Sequence, residues 1–84
     1  MDDRRSEPRL RVFKAATIEF DGAGIDCTVR NLSASGAALE VASPVGIPHE
    51  IILNVLTSEL RRHGRVVWRK ERRIGVTFVE PNNW

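Results

Sequence analysis

From Val12 onward the chain alternates apolar and polar residues with a period of two, the pattern that sends successive side chains to opposite faces of a β-strand. Ile25, Cys27 and Val29 interleave with Asp26, Thr28 and Arg30, and in the preceding stretch Val12, Ala16, Ile18 and Phe20 share one parity. Between them, Asp21-Gly22-Ala23-Gly24 supplies residues that tolerate positive φ, so the pair reads as a hairpin. Ala37, Leu39 and Val41 repeat the rule, as do Gly64, Val66 and Trp68, then Ile74, Val76 and Phe78; each set points inward, Trp68 with the rest. Ser43 to Pro48 breaks the pattern with two prolines and a glycine, which is turn chemistry. Ile51 to Leu60 fits two periods. Ile52, Leu56 and Leu60 would line a helix face, whereas β-branched Ile51, Ile52, Val55 and Thr57 favour a strand with Ile51, Leu53 and Val55 inward, and the strand is the reading adopted.

About six short strands joined by tight turns predict an all-β fold, a small antiparallel barrel whose closure removes exposed strand edges. Residues 1–11 lack the alternation and read as a flexible basic arm, residues 12–79 as the barrel and residues 80–84 as a short tail. A chain of 84 residues has room for one core and one surface site, but not for a catalytic cleft between lobes.

Composition narrows the class. With 42% hydrophobic and 29% charged residues the chain is a soluble globular domain and not a disordered one. A single cysteine excludes an internal disulfide, and the longest aliphatic run, Ile51-Ile52-Leu53, is far too short to cross a bilayer. A cytoplasmic protein without a membrane association is the expectation. Net charge is only +2, but residues 1–14 and 61–73 carry nearly all the arginine and lysine, while residues 15–60 hold one basic residue, Arg30, against six acids. Taken alone, each basic cluster is most simply a solvated face.

Two short segments carry candidate chemistry. Arg5-Ser6-Glu7-Pro8-Arg9 places two guanidinium groups four positions apart, and Pro8 disfavours the α conformation at Glu7, so the stretch is extended and both arginines point the same way. Their Cα atoms then lie roughly 13 Å apart, a spacing suited to the two ends of a bulky dianion. Arginine suits that task, because its rigid fork matches phosphate oxygens or a guanine edge and its flat face stacks on a base. Asn31-Leu32-Ser33-Ala34-Ser35-Gly36 concentrates short polar groups where the strand pattern stops, with Gly36 permitting either a positive φ or a close backbone approach. Such a loop is more often a turn whose Asn31 and Ser33 satisfy their own backbone.

An R-x-x-x-R segment ahead of the first strand and a D/N-x-S-x-x-G segment between the second and third resemble the paired signature of the PilZ family of cyclic di-GMP receptors. Gly64-Arg65-Val66-Val67-Trp68 and Ile74-Gly75-Val76-Thr77-Phe78 are similar to that family's closing strands, so the resemblance covers nearly the whole chain. It implies a six-stranded barrel with cyclic di-GMP on its outer surface and the arginine arm folded over it. By position, Arg5 and Arg9 would meet phosphates and guanines, with Arg4 as an additional candidate. Asn31 and Ser33 would hydrogen-bond a guanine and nearby ligand atoms, and Gly36 would let the ligand come close. Asn31 stands where aspartate is commoner and lacks the carboxylate's charge-assisted bond. The implied protein is not an enzyme and carries no cofactor; it is a monomer or a ligand-assisted dimer that signals to an unidentified effector protein.

Competing constellations are thinner. His49 and His63 are isolated, and Cys27 has core parity, so no metal site is expected. Ser33 and Ser35 have no His and acid partners nearby in sequence. A nucleic-acid-binding barrel is the rival reading, suggested by a pI near 9.3 and the arginines of residues 61–73, but it is short of exposed aromatics, with only Phe13 and Trp84 as candidates. A barrel that only docks proteins and binds no ligand is the third reading.

Overall fold

The structure, a computed structural model, describes residues 10–79, and every regular element within them is a strand. In chain order these are β1 (Leu10–Phe20), β2 (Ala23–Leu32), β3 (Gly36–Glu40), β4 (Glu50–Val55), β5 (Leu60–Lys70) and β6 (Arg73–Phe78). They close into a barrel in the order β1-β2-β3-β6-β5-β4, with β1 pairing both β2 and β4, and every neighbouring pair antiparallel. The expected antiparallel six-stranded barrel is therefore the architecture found.

Period-two alternation builds its interior. Ala16 and Ile18 from β1, Cys27 and Val29 from β2, Leu39 from β3, Ile51, Leu53 and Val55 from β4, Val66 from β5 and Ile74, Val76 and Phe78 from β6 are all buried. Ile18, Val29, Leu39, Leu53, Val55 and Ile74 are the largest fully buried side chains, and burying each stabilises the fold by about 1.5–3 kcal/mol relative to exposure. Val12 and Phe20 are partly buried against this core. Val41 and Ile47 join it from beyond β3, so the proline-rich turn contributes an apolar plug as well as a change of direction. In the β1–β2 hairpin only Asp21 (φ 49°) and Gly22 (φ 75°) form the loop, and two successive positive-φ residues match the twist of the flanking strands.

Two expectations need correction. The strand read over Ile51 to Leu60 has the inward set predicted, but it ends at Val55; a turn over 56–59 follows, with Glu59 at φ 56° and Leu56 exposed, and Leu60 already belongs to β5. Trp68 is not in the core. The β5–β6 ladder slips between Val66 and Trp68, and the extra residue, Val67, turns the indole outward, leaving it 46% exposed. One inserted residue reverses the face of everything after it, so parity counted straight through the bulge gives the wrong answer. Similar slips occur in β1–β2 between Arg11 and Lys14 and in β2–β3 between Val29 and Asn31, so both ladders shift beside Arg30.

Candidate functional site

The registers define one row of side chains across five strands. Arg11 is opposite Asn31, Asn31 opposite Ala38, Ala38 opposite Gly75, and Gly75 opposite Trp68. Directly opposed residues share a face, and the adjacent pairs Val29–Leu39 and Leu39–Ile74 are buried, so this row faces outward. Above it is a cavity of about 180 Å³ lined by Asn31, Leu32, Ser33, Ser35, Gly36, Ala37, Ala38, Val67, Trp68, Gly75, Val76 and Thr77. Ala38 and Gly75 make a floor with almost no side chain, between the Asn31 amide on one side and the Trp68 indole on the other.

Gly75 is what lets the indole sit there. A Cβ at this position would strike Nε1, Cε2 and Cδ1 of Trp68, so the five-membered ring lies directly over the glycine backbone. Gly36 has a different reason. It is not in the left-handed region, where the described glycines are Gly22 and Gly46, but a Cβ on it would run into the Val76 carbonyl oxygen. Close approach of β3 to β6, and not a special φ, fixes glycine at the end of the loop.

The loop itself is held by its backbone. The Ser33 N–H donates to the Gly36 carbonyl at 2.9 Å, the Ser33 hydroxyl donates to the same oxygen at 3.4 Å, and the Phe78 N–H donates to the Ser35 carbonyl at 2.8 Å. Ser33 thus does part of what an ordinary turn serine does, yet its oxygen remains at the cavity wall with acceptor capacity. Among the described residues no hydrogen bond engages the Asn31 side chain. Asn31, Ser33 and Gly36, expected to act together, do line one cavity; Arg4, Arg5 and Arg9 lie outside the described residues, as does Trp84. Sequence reasoning missed Trp68 as a cavity wall. A sequence signal for it was available only in combination, as a glycine in β6 facing a tryptophan in β5 across a slipped register.

The arginines of residues 61–73 are largely engaged. Arg61 pairs with Glu19 at 2.9 Å, Glu19 also accepts from the Asn54 amide at 3.1 Å, and Arg65 reaches Glu50 at 3.4 Å. Arg69 donates to the Pro44 carbonyl at 3.0 Å, and the Arg62 guanidinium lies 4.6 Å from the centre of the Phe78 ring. The acids of the central segment and the basic hairpin therefore meet across β1, β4 and β5. Arg30 is committed too, to Glu40 at 2.7 Å and to the exposed Phe13 ring at 5.3 Å. A larger cavity of about 530 Å³ borders the β1–β2 turn, but Glu19 and Arg61 in its lining already neutralise each other. Among the described residues no cluster of His, Cys, Asp and Glu could hold a metal, and none forms a helix long and apolar enough to cross a membrane.

The family model described as PilZ domain matches residues 3–83. Among solved structures, the barrel is similar to the PlzA protein of Borreliella burgdorferi, determined in complex with c-di-GMP, with a TM-score of 0.68 and 20% identity over 84% of this chain and 32% of that one. It is also similar to the Legionella uncharacterized protein Lpg0364, with a TM-score of 0.60 and 18% identity over 86% of this chain and 76% of that one. The chain thus spans about a third of the length of PlzA, and at these identities the likeness establishes the fold. No curated protein matches the sequence.

Proposed function

The chain belongs to the PilZ domain family, and from that premise we propose that it is a non-catalytic receptor for cyclic di-GMP, with Arg5, Arg9, Asn31, Ser33 and Gly36 as its ligand residues and Arg4 as an added contact. The observation that carries the reading is the register at the start of β1, where Leu10 pairs with Leu32 and Arg11 with Asn31. The arm therefore joins the barrel beside the loop. Arg9 is one peptide, about 3.8 Å, from Leu10, and Arg5 is within roughly 17 Å of it along an extended chain. Those chain lengths would let both meet a ligand at the cavity mouth with the barrel unchanged.

Cavity size supports a shared cradle. At about 180 Å³ it is smaller than sites that enclose a drug-sized ligand, roughly 300–1,000 Å³, so it suits one base of a dinucleotide and leaves the phosphates at the rim. A purine seated there would lie over Ala38 against the Trp68 indole and meet the Asn31 amide at its edge. Among the described residues the lining is uncharged, so the phosphate charge would fall to arginines at the rim. Closing that arm over the ligand creates a new surface, by which the domain would signal to an effector protein in the cytoplasm.

Calorimetric titration of cyclic di-GMP into the full chain tests this. Saturable binding that Arg5→Ala or Arg9→Ala abolishes is the expected result, and no heat beyond dilution with the unaltered protein would refute it. A nucleic-acid role loses its main support, because Arg61, Arg62, Arg65 and Arg69 already have partners within the barrel.

A further inference from the structure

We propose that Arg11, outside the R-x-x-x-R segment, is a further phosphate-binding residue of this site, contributing from the barrel wall itself; the inference rests on the cyclic di-GMP reading above. Arg11 begins the outward row, directly opposite Asn31, where opposed Cβ atoms are about 4.5–5.5 Å apart. Its side chain is exposed, and among the described residues it has no ion pair or hydrogen bond.

Two observations turn that position into a site. First, among the described residues nothing charged lines the cavity, so an anion seated with its base on Trp68 needs a cation from the rim. Second, the alternative cation beside Asn31 is spent: Arg30 is held by Glu40 at 2.7 Å and covers Phe13. The side chain facing Arg11 matters as well. Asn31 is neutral, so no carboxylate directly across the ladder competes with a phosphate for the guanidinium. The arginines of the R-x-x-x-R segment precede β1, whereas the backbone of Arg11 is held in the β1–β2 ladder before any ligand arrives. Pre-placed charge of this kind accelerates encounter and strengthens binding most at low ionic strength.

The test is calorimetric titration of cyclic di-GMP into the full chain and its Arg11→Gln and Arg11→Lys variants, each at low and high salt, with Arg73→Gln as a surface control. Arg11→Gln is expected to bind roughly tenfold more weakly at low salt, with a flatter salt dependence, and to melt like the parent. Arg11→Lys should keep the salt dependence while losing part of the affinity, since it retains the charge without the fork. Arg73→Gln should bind as the parent does. If the parent binds and both Arg11 variants match it in affinity and salt response, this inference fails and the receptor reading stands. If the parent does not bind, both fail together.

Discussion

Gly36 on β3 and Val76 on β6 approach so closely that the carbonyl oxygen of the valine occupies the place a side chain on the glycine would need. Gly36→Ala must push β3 away from β6 just where the loop is stitched to β6 by the Phe78 amide and the Ser35 carbonyl. We expect a loss of about 1–3 kcal/mol in urea denaturation, the usual cost of forcing atoms into a filled space, together with weakened cyclic di-GMP binding. Unchanged stability would mean that this contact relaxes freely.

Trp68 gives the opposite combination. Because the indole is half exposed, Trp68→Ala should leave the melting curve nearly intact, yet remove a base platform whose stacking is typically about 1–3 kcal/mol. Affinity for cyclic di-GMP should fall roughly tenfold or more. Gly75→Ala should act on the same group from beneath, displacing the ring; in a Trp84→Phe background, the emission of Trp68 should shift without unfolding.

Arginine substitutions should divide by location. Arg5→Ala and Arg9→Ala should each remove measurable binding. Arg61→Ala breaks only an exposed pair with Glu19, changes stability by less than about 1 kcal/mol and leaves the ligand titration unaltered. Loss of binding on removing Arg61, with Arg9→Ala silent, would move the site to the far side of the barrel.

Cys27 supplies a pH signature. Burial, and secondarily the Asp26 carboxylate, pushes its thiol from an ordinary value of 9.0 up to about 12. Folded chain therefore holds the proton over a range where unfolded chain releases it, so the thiol's contribution is complete below about pH 9 and drains away as pH rises toward 12. Its slope is at most about 1.4 kcal/mol per pH unit. Denaturation midpoints of Cys27→Ala should decline less steeply than the parent's over this window, and the native thiol should resist alkylation at neutral pH.

Much of the barrel is legible in the sequence, because each strand is its own witness: Ile25-Cys27-Val29 or Ile51-Leu53-Val55 needs no partner to declare its face. The asparagine-to-glycine loop is legible as a unit for the same reason, since its polar residues are contiguous. What escapes is whatever depends on pairing between strands. The reason for Gly36 lies in Val76, the orientation of Trp68 lies in the slip beside Val67, and the relevance of Arg11 lies in its position across from Asn31. None of these partners is near in sequence, so local periodicity has no access to them.

Closure of the ring through β1–β4 and β3–β6 also has a kinetic meaning. These two seams join segments far apart along the chain, so they raise the contact order and belong to the slower class of small-domain folding reactions. The β3–β6 seam is the one that unites Asn31 with Trp68, which leaves the isolated β1–β2–β3 meander with the loop but no floor beyond Ala38. Recognition would then emerge only with completion of the barrel, and a nascent or partly unfolded chain could not sequester the messenger.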